Sequence, residues 1–75
     1  TLLDEHDAFD TKLLISDIIF RFDSVNEAAL RLKCATYVFM RKQYMAKTTY
    51  EHFCREYKSL YDEPFEHSFN SIISQ

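Results

Sequence analysis

The absence of glycine from all 75 residues closes off more folds than any motif in the chain opens. A phosphate-binding P-loop, a dinucleotide fingerprint and a tight primed hairpin turn all rely on backbone angles that glycine adopts freely. Nucleotide binding through a known loop type is therefore effectively out, and a hairpin-rich β fold is disfavoured. No run of strict apolar/polar alternation is long enough to restore one. Helices remain, in an all-α domain spanning residues 1–75. That length is near the lower limit at which one core suffices without metal, disulfides or a partner subunit.

Punctuation and periodicity divide the chain into four predicted helices. Asp7 or Asp10 can cap the first, which runs to about Asp23. Its residues Phe9, Leu13, Leu14, Ile15, Ile18, Ile19 and Phe22 cover a wide apolar arc, so it is expected to be mostly buried. Ser24-Val-Asn-Glu27 has the form of a capping box and opens a second helix that extends to about Lys47. Between Cys34 and Met40 that helix carries no charge, which places it at the centre of the domain. Thr48-x-x-Glu51 repeats the capping pattern and sets the sharpest expected boundary, at Lys47/Thr48. Tyr50, Phe53, Cys54, Tyr57 and Leu60 form the stripe of the third helix. Residues 61–63 make a turn, and Pro64 suits the first position of a fourth helix with Phe65, Phe69, Ile72 and Ile73 on its apolar face. Glu51, Glu63 and Glu66 complement helix dipoles at N-termini.

The net charge of −3 hides an alternation. Residues 1–27 hold seven acids and two bases, 28–47 five bases and no acid, and 48–75 five acids and two bases. Arg31, Lys33, Arg41, Lys42 and Lys47 could form a basic strip for phosphate contact, or the solvated and partly paired face of a hydrophobic helix. A composition 47% hydrophobic and 16% aromatic, with seven Phe and five Tyr, suits a packed globule with more apolar surface than so small an interior can hide. No apolar stretch approaches the roughly 20 residues that span a bilayer, and the acidic first residues do not resemble a signal or transit peptide. The expectation is a soluble intracellular segment, excised from a longer protein because it begins at Thr1, with no membrane contact.

Catalytic chemistry has little to stand on. Cys34 and Cys54 lie on apolar helical faces and read as free core thiols. His52 and Cys54, two residues apart on a helix, point in different directions and cannot share a metal without help from elsewhere. His6 and His67 could join only through tertiary folding. The expectation is a non-enzymatic domain with no metal, no cofactor and no small-molecule substrate. Tyrosine is the better clue, because it pairs apolar area with a hydroxyl that tolerates water and is enriched at interfaces. Tyr37 and Tyr44 suit an interface or packing equally, whereas Tyr50, Tyr57 and Tyr61 follow the third-helix stripe and suit the core. Tyr37, Phe39, Met40 and Tyr44 are the candidate interface residues.

Leu32-Lys33 followed by an apolar helix, then Thr49-Tyr50-Glu51-x-x-Cys54-x-x-Tyr57-x-x-Leu60, then Pro64-Phe65 and Phe69-x-x-Ile72-Ile73, resembles the winged-helix domain of origin-recognition and initiator-loader proteins, a family that includes silencing paralogues in yeasts. The resemblance covers about 45 of the 75 residues. It implies a helix-turn-helix, though the chain stops at Gln75 without the turn residues of a β-hairpin wing. DNA-binding members carry basic residues in the recognition helix, where this chain offers Ser68, Asn70, Ser71 and Gln75. What the resemblance implies is a nuclear chromatin or replication protein in which the domain serves protein contact or homodimerisation. The combined expectation is a compact four-helix domain, winged-helix-like without a visible wing, acting as a protein-interaction or dimerisation module. The alternative is a DNA-binding helix-turn-helix using the basic strip of the second helix.

Overall fold

A computed structural model describes residues 5–74, with side chains from Ala8 onward, and the described residues form four α-helices and no strand. They are α1 (Glu5–Phe22), α2 (Glu27–Phe39), α3 (Gln43–Tyr61) and α4 (Phe69–Ile73). The all-α, four-helix expectation holds, and α2 packs against each of the other three helices. All four predicted starts move: α1 already runs through Asp7 and Asp10, so neither caps it, and the other three shift for identifiable reasons.

The α1–α2 turn is built by Asp23, whose carboxylate accepts from the Val25 N–H at 3.2 Å and the Asn26 side-chain amide at 3.4 Å. The cap of α2 is Asn26 rather than Ser24, with its side-chain oxygen taking the Ala29 N–H at 2.9 Å. Glu27 consequently opens the helix instead of closing a capping box. It pairs one turn on with Arg31 at 3.0 Å.

The predicted second helix is two. Its chain reverses at Met40–Lys42, where Arg41 takes a left-handed conformation with φ of 61°. The Lys42 N–H donates to the Tyr37 carbonyl at 2.8 Å and the Arg41 N–H to the Val38 carbonyl at 3.0 Å, the two bonds of a Schellman terminus. Such an end ordinarily announces itself with glycine, and here an arginine occupies the position. Thr48 does not cap anything. Its hydroxyl and that of Thr49 donate back to the Tyr44 and Met45 carbonyls at 3.0 and 2.9 Å, as threonines do inside a helix. The Lys47/Thr48 boundary is thus replaced by one at residues 40–42.

Pro64 begins no helix. Asp62 closes α3 in a left-handed conformation with φ of 57°, and residues 63–67 run as a loop. Phe65 holds that loop against the aromatic stripe of α3, its ring centroid 4.8 Å from Phe53 and 5.2 Å from Tyr57. The Tyr50 hydroxyl donates to the His67 carbonyl at 2.6 Å. Only five residues then form α4, capped by Ser68. Glu63 and Glu66 are exposed loop residues rather than a helix N-terminus.

The core is small: Leu30, Cys34, Ala46, Phe53 and Ile72, ringed by half-buried aromatics and aliphatics. Small residues let the helices approach closely. Ala29, Cys34 and Ala46 are buried, as are Ser16 and Thr36, whose hydroxyls donate to the Lys12 and Leu32 carbonyls of their own helices at 3.0 and 2.7 Å. Burying these hydroxyls leaves no orphaned donor.

Candidate interaction surfaces

The expectation that α1 is mostly buried fails, and its failure leaves four large apolar side chains exposed along it. Ser16, Phe9, Leu13, Ile19 and Phe20 turn inward or sit half-buried, with Phe20 reaching Phe53 of α3 at 6.4 Å between centroids. On the other side Leu14 is 59% exposed, Ile15 45%, Ile18 42% and Phe22 88%. Four-residue steps advance about 40° around a helix, so Leu14, Ile18 and Phe22 climb one side in a shallow spiral with Ile15 beside them. Among the described residues nothing covers that side, because α1 packs chiefly along α2 alone. A wide apolar arc in the sequence does not say how much of it a neighbour reaches.

The candidate basic strip is divided. Arg31 is tied to Glu27, and the Lys33 ammonium sits 2.9 Å from Asp17 and 6.0 Å above the Phe20 ring. Arg41, Lys42 and Lys47 are exposed, and among the described residues none forms an ion pair. They lie not on the second helix but on the α2–α3 turn and the first turns of α3, so the strip expected along one helix does not exist as such. Of the candidate interface residues, Phe39 and Tyr44 are 74% and 70% exposed, beside those cations. Tyr37 packs against the core, and Met40 is half-buried in the turn. Tyr50 and Tyr57 join the core margin as expected, whereas Tyr61 is exposed.

A cleft of about 430 Å³ opens between α1, α2 and α3, floored by Phe20 and Phe53 and edged by the Lys33–Asp17 pair, His52 and Arg55. Of its three hydroxyls, Thr48 and Thr49 are engaged with backbone carbonyls, and Ser24 lines the cleft beside them. His52 lies 3.9 Å from Glu56, and His67 lies 3.7 Å from both Glu27 and Glu66. Among the described residues, no three His, Cys, Asp or Glu side chains could hold a metal ion together. No helix among them is long and apolar enough to cross a membrane.

Both cysteines are free. Cys34 is wholly buried and directs its thiol at the Ala46 carbonyl, 3.4 Å away. Burial pushes the thiol up from an ordinary 9.0 to about 11, against the opposing charge of Lys33. Tyr50 is pushed up from 10.0 to about 12, by burial first and then by the neighbouring Cys54. In the unfolded chain both groups lose their protons earlier than in the folded one. The stability they contribute is therefore complete below about pH 9 and is lost as pH rises through about 11 and 12. Urea midpoints should be level between pH 7 and 9 and fall steadily above, and Cys34→Ala should flatten the first part of that fall. A midpoint unchanged at pH 11 would contradict the burial of both groups.

No protein-family model, curated protein or solved structure matches this chain.

Proposed function

We propose that the chain is a non-enzymatic self-association module, in which the exposed side of α1 pairs with the same side of a second copy. The observation that carries this reading is the stripe of Leu14, Ile15, Ile18 and Phe22. At about 200 Å² for a large apolar residue, the exposed part amounts to roughly 450 Å². A patch of that size is within the range of the largest apolar patch on an ordinary monomer, which is often functional. It also forms more than half of the roughly 800 Å² that each partner contributes to a stable complex.

Charge favours an antiparallel pairing. Asp17 and Arg21 border the stripe along one edge, one turn apart, and both are exposed. When two helices pair antiparallel, like edges meet. Centred on Ile18, such a pair sets Phe22 over Leu14 of the second copy and brings Arg21 beside the second copy's Asp17. The Asp17 side chain keeps 53% of its surface exposed while it holds Lys33, which leaves room for a second cation. The contact is isologous, so every favourable pair occurs twice.

The setting in a chromatin or replication protein, and with it a nuclear location, rests on the winged-helix resemblance of Leu32 to Ile73. The five-residue α4 lends no support to base reading in a major groove, because a reading helix needs several turns to lie in one.

Sedimentation velocity of the chain over a wide concentration range, at physiological salt, tests the reading. The expected result is a concentration-dependent dimer. Ile18→Asp combined with Phe22→Asp should weaken it by at least about 100-fold, because anchors at an interface centre carry most of the energy. The same variant should keep its helical circular dichroism, since both residues face away from the core. A wild-type chain that stays monomeric at every concentration would end the proposal.

A further inference from the structure

We infer that the α2–α3 turn is a second, independent binding surface, which takes an unpaired polynucleotide strand by stacking bases on Phe39 and Tyr44 and pairing phosphates with Arg41, Lys42 and Lys47. From Ala28 to Tyr50 the chain contains no acid. Of the five bases in that span, two are held by Glu27 and Asp17. The remaining three gather around a single reversal of the backbone, and the two aromatics that flank it are 74% and 70% exposed.

Aromatic rings in that state are costly ornaments for a surface that only needs charge, and useful ones for a surface that stacks. Every nucleobase presents a flat π face, so stacking on Phe or Tyr holds a strand without selecting its sequence, while cations at its sides meet the phosphates. The turn is also preformed. The Lys42 N–H is fixed to the Tyr37 carbonyl and the Arg41 N–H to the Val38 carbonyl, so little backbone freedom is lost on binding. Lys47 follows Tyr44 by three residues on α3 and therefore lies on the same side of that helix.

Three features separate an unpaired strand from other anionic partners. A duplex buries its base faces and would leave both rings without a role. A duplex also offers its grooves to a helix or ribbon that enters them, whereas a tight turn does neither. A planar anionic membrane offers phosphates but no flat π face on which the two exposed rings could stack. A strand needs only the narrow strip that the turn provides.

The test is fluorescence anisotropy of a labelled twelve-nucleotide thymidine strand with the intact chain, beside a labelled twelve-base-pair duplex and vesicles of mixed phosphatidylserine and phosphatidylcholine. Saturable binding to the strand is expected in 50 mM salt. It should weaken about 20-fold by 200 mM, as release of counterions from three phosphates requires for single strands. Phe39→Ala and Tyr44→Ala should each weaken it about fivefold or more, and Lys42→Glu should also weaken it, with circular dichroism unchanged because none of the three supports the core. The inference is overturned by any of four results: no strand binding at 50 mM salt, duplex binding at least as tight, capture by vesicles without capture by the strand, or aromatic substitutions without effect.

Discussion

Phe53→Ala is expected to lower the stability of the domain by about 4 kcal/mol, from a total of roughly 4 to 11 for a chain of this length. Phe53 is 2% exposed and stands where three segments meet. Phe65 of the loop lies 4.8 Å away, and Phe20 of α1 and Tyr57 of α3 each 6.4 Å away, between ring centroids. Removing the ring forfeits its transfer energy and leaves a cavity lined by other rings that cannot collapse without moving two helices. In thermal unfolding the midpoint should fall by about 15 to 30 °C, and part of the population should be unfolded at 25 °C. Phe22→Ala is the control. The residue type is the same, but at 88% exposure its loss should alter monomer stability by no more than about 0.5 kcal/mol. Equal effects at the two positions would mean that the burial assigned to them is wrong.

Ile72→Ala should cost about 3 kcal/mol, and the loss should be local. Ile72 is completely buried and anchors α4 to α2. A helix of five residues has no stability of its own, because nucleation is unfavourable and too few bonds follow it. With the anchor shortened, α4 and the loop before it should open while α1, α2 and α3 stay paired. Native-state hydrogen exchange distinguishes the outcomes. Protection of the Ile72 and Ser74 amides, which donate to Ser68 and Asn70, should collapse, while the amides around Phe53 keep theirs. The Tyr50–His67 bond belongs to the opening unit, so Tyr50→Phe should weaken the same segment by about 1 kcal/mol. Equal loss of protection at Phe53 would show that α4 is part of one cooperative unit.

The two proposed surfaces lie on different parts of the molecule, and their chemistry differs. The side of α1 offers aliphatics and a phenylalanine with charges only at its border. The α2–α3 turn offers two rings among three cations. Salt separates them in solution: burial of apolar area responds weakly to ionic strength, whereas phosphate contacts weaken steeply. Association of the chain with itself should therefore survive conditions that release a bound strand.

Much of this fold is legible in the residues. The lack of glycine, the helical spacing of apolar positions and the uncharged run Cys34–Met40 are enough for an all-α domain built around its second helix. The helix-three stripe lies where the periodicity puts it at Tyr50, Phe53 and Tyr57, with Cys54 half-buried, but its last member, Leu60, is 59% exposed. These features are local, and local preference is what a one-dimensional pattern records. The residues alone did not reveal the break at Met40–Lys42, because a Schellman end formed on arginine carries no glycine or proline to mark it. Nor did they reveal that Pro64 opens a loop, since that depends on Phe65 finding Phe53 and Tyr57 across the core. The exposure of Leu14, Ile15, Ile18 and Phe22 was hidden for the deepest reason. Periodicity tells which residues share a side of a helix, but whether another element covers that side is decided by tertiary packing, and α1 packs chiefly against one neighbour.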